Sequence, residues 1–208
     1  PVFFTNCVAI NFIWPIFVYA MYKLQSNPIS LTTLQALYAK KDLRIQLFFL
    51  LGIVGISVIV AALNSLSSNA ISREGKHFSF MKYIPVPYET QWNIKAFIGI
   101  IFPTIGVLIY FIPFCILVKV PVIHIILFTI LCLMAISFVS FTGIYIDSIQ
   151  PKLIWDDELS ALRENYNTFF SMAIAIAFTM VVCIGGFFLF CNTKISIAVS
   201  ALIMIILL

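Results

Sequence analysis

The chain has 208 residues, 62% apolar and 10% charged, with a net charge of +4. Soluble domains run near 45–50% apolar and about 25% charged, and one of this size has too little interior to hide the excess, so lipid is the expected solvent. The basic residues are scattered through short polar segments, as headgroup anchors are, which argues against a nucleic-acid-binding patch.

Crossing roughly 30 Å of hydrocarbon takes about 20 apolar residues in a helix. The first such run covers residues 2–22, interrupted by Pro15, with Trp14 and Tyr19 placed as interface anchors. A polar stretch follows over 23–44, where Leu31, Leu34, Leu37 and Tyr38 recur at helical spacing and predict a short interfacial helix. The second span is 46–66, with Gly52, Gly55 and Ser57 giving it a small-residue face. The longest polar loop is 67–95, the third span is 96–118 with Pro103 and Pro113 inside it, and Pro121 marks a tight turn. The fourth span is 122–146, a second polar segment is 147–167, and the fifth span is 168–190. A sixth begins near Ile195 and offers only residues 195–208, about 21 Å of helix, so it is read as truncated. Pro1 also begins almost inside an apolar run, and the chain is expected to be a fragment of something longer. The fold class expected is all-α: one polytopic bundle, residues 1–208, of about six spans with short loops.

Catalytic and metal-binding patterns are missing. There is no Walker loop, no H-E-x-x-H and no G-x-S-x-G, and His77 and His124 are the only histidines. Cys7, Cys115, Cys132, Cys183 and Cys191 form no C-x-x-C pair and read as small apolar residues. Asp156-Asp157-Glu158 reads as the start of a helix beside Trp155 rather than as a cation site. Every Asp, Glu, Lys and Arg can be placed at a span end or in a loop, which argues against a carboxylate relay of the kind ion-coupled pumps use. The uncharged polar residues within spans, among them Asn11, Asn64, Thr104 and Ser140, read as interhelical hydrogen-bonding groups or as the lining of a substrate path. Prolines within spans imply kinks whose freed backbone groups neighbours must satisfy. Lys and Arg divide evenly: Arg73, Lys76, Lys82, Lys95, Lys152 and Arg163 on one side, Lys23, Lys40, Lys41, Arg44, Lys119 and Lys194 on the other. The positive-inside rule therefore assigns no orientation.

The two polar loops carry most of the information. In the first, Ser72-Arg73-Glu74-Gly75-Lys76 is followed by Phe78, Phe80, Met81, Tyr83 and Ile84 around Lys82, and then by Pro85-Val86-Pro87. That pattern predicts a short amphipathic element at the membrane surface or presented to a partner. The stretch NSLSSNAISREGKHFSFMKYIPVPYETQWNIK (64–95) resembles the coupling segment of exporter-type permeases of ATP-binding-cassette transporters. SIQPKLIWDDELSALRENYNTFFSM (148–172) is similar to the Pro-Lys-Leu-x-Trp segment in the second cytoplasmic loop of bacterial members, and PVFFTNCV resembles the start of their first span. Ile154 departs from the acidic or polar residue common in that second segment.

The resemblance implies that both loops are cytoplasmic. It also implies that Arg73, Glu74, Gly75, Lys76, Lys82, Pro85 and Pro87 belong to an element that docks on a separate ATPase subunit. Pro151, Lys152, Trp155 and Asp156 would form the second cytoplasmic contact. The chain would then be a non-enzymatic transport subunit of a bacterial cell membrane, binding no cofactor itself, with ATP and magnesium on the partner and a second permease half or a second copy beside it. A secondary transporter, an accessory membrane subunit without its own path and a lipid-modifying membrane enzyme are the competing readings; the last lacks the His, Asp and Glu it would need.

Overall fold

The computed structural model describes residues 31–40, 42–155 and 165–191 continuously, together with isolated helical positions at 9, 13, 16, 19, 20 and 23. The expected spans 2–22 and 195–208, with Asn11, Asp156 and the acidic cluster, fall wholly or mostly outside the described residues. Among the described residues all regular structure is helical: α1 (Leu31–Ala39), α2 (Leu43–Asn64), a 3-10 segment (Ser72–Lys82), α3 (Tyr88–Val118), α4 (Val122–Ile149) and α5 (Tyr166–Cys191). Four of these helices, α2 to α5, are long and apolar enough to cross a membrane.

The boundaries follow from local chemistry. Asp42 starts α2, its Oδ1 accepting from Arg44 N at 3.0 Å, as an N-cap should. α2 ends at Ser65, and α3 at Lys119, each in the left-handed conformation with φ of 50° and 61°. Pro87 and Pro121 stand immediately before α3 and α4, where a missing N–H is harmless and the extended backbone is favoured.

Helix α2 packs against α3, α4 and α5, and α4 packs against α3 and α5. The buried stripe of α4 runs through Phe128, Cys132, Ile136, Ser140, Gly143 and Asp147, at steps of three or four residues, with Ala135 and Val139 beside it. Leu47, Leu50, Val54 and Val58 of α2 and Val107 and Phe111 of α3 complete the core. The interfacial helix expected around Leu31–Tyr38 is α1, which lies at the end of the bundle where α3 finishes and α4 begins. Gln35 Nε2 donates to Leu117 O at 2.6 Å, and Tyr38 Oη and His124 Nδ1 share a hydrogen bond at 2.8 Å.

Three features refine the expected bounds. The helix that carries the third span, 96–118, already begins at Tyr88; α3 has 31 residues, about 46 Å, longer than a 30 Å hydrocarbon layer is thick. The helix that carries the fourth span, 122–146, continues to Ile149 and holds Asp147 inside its last turn. Most important, the polar segment from 67 opens with Ser67 to Ser72 wholly buried among the helix ends.

Candidate functional site

Burying an irregular backbone requires room and hydrogen-bond partners. Glycines provide the room. A Cβ on Gly99 of α3 would overlap Ser67 Oγ, and one on Gly143 of α4 would lie 3.0 Å from Ser68 N and 3.2 Å from Ser171 Oγ. Small polar side chains provide the partners. Asn69 Nδ2 donates to Ser65 O at 3.1 Å and to Thr168 Oγ1 at 2.7 Å, and Asn69 Oδ1 accepts from Asn165 Nδ2 at 2.6 Å. Beside them lies a cavity of about 10 Å³ lined by Ala61, Ala62, Ser65, Ser67, Ser68, Val139 and Ser171, the size of a single water.

The centre of this network is Asp147, fully buried in the last turn of α4. Its Oδ2 accepts from Ile71 N at 2.7 Å and Ser72 N at 2.9 Å, while Oδ1 accepts from Ser72 Oγ and from Asn167 Nδ2 at 3.1 Å. The carboxylate thus caps the start of the 3-10 segment from another helix, doing across 75 residues what an N-cap side chain does locally. Asn167 Nδ2 also donates to Gln150 O at 2.6 Å, so the end of α4 and the start of α5 are tied at the same point.

The second polar segment closes on the first. Lys152 N donates to Ser72 Oγ at 2.9 Å, and Trp155 Nε1 donates to Ser72 O at 3.0 Å. Gly75 adopts φ of 51°, and a Cβ there would meet the Trp155 ring at 2.9 Å. Lys95, near the start of α3, pairs with Glu74 Oε1 at 2.5 Å and donates to Ala70 O at 3.3 Å. The two segments and four helix ends form one polar joint.

The residues singled out by sequence therefore separate. Gly75 and Glu74 hold the joint, Trp155 and Lys152 reach it from the second segment, and Arg73 and Pro151 are half-buried beside them. Lys76, Lys82, Pro85 and Pro87 are exposed, as are Phe80, Tyr83, Ile84 and Val86. Ile154 is 80% exposed on the second segment. The joint thus carries an outward face that is basic and apolar together.

The polar residues within the spans also differ among themselves. Ser140 Oγ donates to Gly99 O at 3.1 Å, the carbonyl that Pro103, four residues on, leaves without its helical partner. Asn64 and Thr104 are different: among the described residues neither the Asn64 amide nor Thr104 Oγ1 meets a hydrogen-bond partner. An open apolar groove of about 230 Å³ lies between α2 and α5, lined by Leu51, Gly55, Val58, Ile59, Ile176, Thr179 and Met180. Cys115 and Cys132 are buried free thiols, and among the described residues no cluster of His, Cys, Asp and Glu could hold a metal.

Sequence reasoning missed Asp147, Asn69, Asn165 and Asn167. Position 147 continues the four-residue stripe of 132, 136, 140 and 143 on α4, and that spacing was the available signal.

The described residues, all-helical in their regular structure and with four helices fit to cross a membrane, joined at one end by a buried polar knot, have the build of a membrane protein. It matches no known protein family, no curated protein and no solved structure.

Proposed function

We propose that the chain is the membrane-spanning permease unit of a bacterial ATP-binding-cassette exporter, a multi-pass protein of the cell membrane that works with a separate ATPase subunit. The observation that carries the reading is the fusion of its two polar segments. The stretches that resemble the coupling segment and the second cytoplasmic loop of such permeases are hydrogen-bonded to each other through Ser72, Lys152 and Trp155. Together they present Lys76, Lys82, Tyr83, Ile84 and Ile154 outward. A basic and apolar face of this kind suits a soluble partner with an acidic rim and an apolar cleft.

In this reading the chain performs no chemistry. ATP and magnesium act on the partner, and closure of the partner pushes the outward face. The helices pass the push to a path between this unit and a second half or second copy. Asn64 and Thr104, which with the Tyr110 hydroxyl are the buried groups without hydrogen-bond partners among the described residues, are the positions proposed to line that path. A secondary transporter remains the second reading only through Pro103 and Pro113, and Ser140 already satisfies the backbone that Pro103 interrupts.

The test is co-purification of the full-length protein from its native host. Wild type should bring down an ATPase subunit, and the pair Lys76→Glu and Lys82→Glu should reduce the amount at least about tenfold without changing the yield of the permease itself. Absence of any ATPase, or full retention by the double reversal, rejects the assignment.

A further inference from the structure

Asp147 stands where three parts of the molecule meet. Through Oδ2 it holds the backbone of Ile71 and Ser72, where the 3-10 segment starts. Through Oδ1 it holds Asn167, in the first turn of α5. Its own backbone belongs to the last turn of α4, whose buried stripe descends through the middle of the bundle. The other side-chain ties of the 72–88 segment to a spanning helix, the pair Glu74–Lys95 and the bonds that Gln91 Nε2 donates to Met81 O and Val86 O, lead to α3 rather than to α4 or α5. Asn69 adds a second route to α5 through Thr168 and Asn165, but it lies ahead of the 3-10 segment and its side-chain hydrogen bonds go to Ser65, Thr168 and Asn165 rather than to α4.

We propose that Asp147 is the positioning residue through which a displacement of the 72–88 segment reaches α4 and α5. The inference rests on the coupling reading above, and it adds which residue divides the incoming motion. A buried carboxylate suits this role because it is an acceptor only. Its two oxygens can hold donors on two different elements at once, and an amide in its place would turn one acceptor into a donor facing the N–H groups it must hold. Asp147→Asn therefore loosens the joint while keeping the volume of the side chain.

Hydrogen exchange read by mass spectrometry, on the full-length protein with its co-purified ATPase in lipid nanodiscs, tests the role. Trapping the ATPase with ATP and vanadate should change exchange in wild type both over 72–88 and over 165–172. In Asp147→Asn the ATPase should still co-purify and the 72–88 response should persist, while the 165–172 response falls to a tenth or less. A wild-type-sized response at 165–172 in that variant, or none in wild type, overturns the proposal. If Asp147→Asn does not accumulate, Ser72→Ala and Asn167→Ala replace it; both should diminish the 165–172 response, and its survival in both overturns the proposal equally.

A failure of the coupling reading looks different, since no ATPase then co-purifies with wild type. The joint is in that case judged on the permease alone. Loss of the carboxylate should speed exchange at the Ile71 and Ser72 amides about tenfold or more, with the middle of α4 unchanged. Unchanged amides at 71 and 72 would sink the proposal.

Discussion

Ser72 donates its N–H and its hydroxyl to Asp147, accepts from Lys152 N on that hydroxyl, and offers its carbonyl to Trp155. Three residues on, Gly75 turns the chain with φ of 51° so that the Trp155 ring can lie against its backbone. A side chain at 75 meets two obstacles at once, a left-handed backbone and an aromatic ring within 2.9 Å of the new Cβ. Gly75→Ala should therefore cost about 1–3 kcal/mol, mainly by parting the second segment from the first. The check is tryptophan fluorescence: the variant should expose Trp155 to aqueous quencher while the bundle still melts cooperatively. Unchanged quenching would show that the ring does not depend on that gap.

At the scale of single elements, α3 illustrates how a proline is accommodated in lipid. Pro103 cannot donate to the carbonyl of Gly99, and Ser140 of α4 takes that acceptor instead. Ser140→Ala should cost roughly 1–2 kcal/mol in wild type and distinctly less in a Pro103→Ala background, where the helix restores its own bond. A double-mutant cycle on detergent unfolding measures this, and strictly additive costs would break the link. Helix α1 gives a second case. Burial pushes the Tyr38 hydroxyl up from its ordinary value near 10 to about 12. Between those values the unfolded chain loses the proton and the folded one keeps it, so the stability Tyr38 contributes is complete below about pH 10 and is lost as pH rises toward 12. Tyr38→Phe should flatten that alkaline decline in a melting series.

The elements also show what was legible in sequence. Apolar run length located the cores of α2 to α5, because lipid requires it, and the three-to-four spacing of Leu31, Leu34 and Tyr38 located α1. The start of α3 was not legible, because Tyr88-Glu89-Thr90-Gln91-Trp92 is too polar to read as a span and its ties, Lys95 to Glu74 and Gln91 to Val86 O, appear only in the folded chain. The burial of Leu66 to Ser72 was hidden for a related reason. Its partners at Gly99, Gly143, Asp147 and Thr168 are remote in sequence, and a run of Ser and Asn reads locally as solvated loop.

For the molecule as a whole, the polar joint and α1 lie at opposite ends of the same helices. The joint gathers the end of α2, the start of α3, the end of α4 and the start of α5; α1 gathers the other end of α3 and the start of α4. If all four helices cross the membrane, a membrane-impermeant thiol reagent should reach Ser79→Cys and Lys119→Cys, both exposed positions, from opposite sides. Under the proposed function Ser79→Cys is labelled only from the cytoplasm. Labelling of both from one side would contradict the arrangement.

The 75-residue separation between Ser72 and Asp147 also sets an order of events during biosynthesis. At roughly 5–20 residues per second, translation delivers the carboxylate about 4–15 s after the backbone it must hold. If α3 and α4 cross the membrane, their hairpin has to be threaded through the bilayer and returned to the same face in that interval. Until then the serine- and asparagine-rich stretch has no capping group and no glycine-lined recess to enter. A nascent chain halted after α3 should therefore leave this stretch open to protease. Completion of the hairpin is the moment at which the membrane domain acquires its outward face.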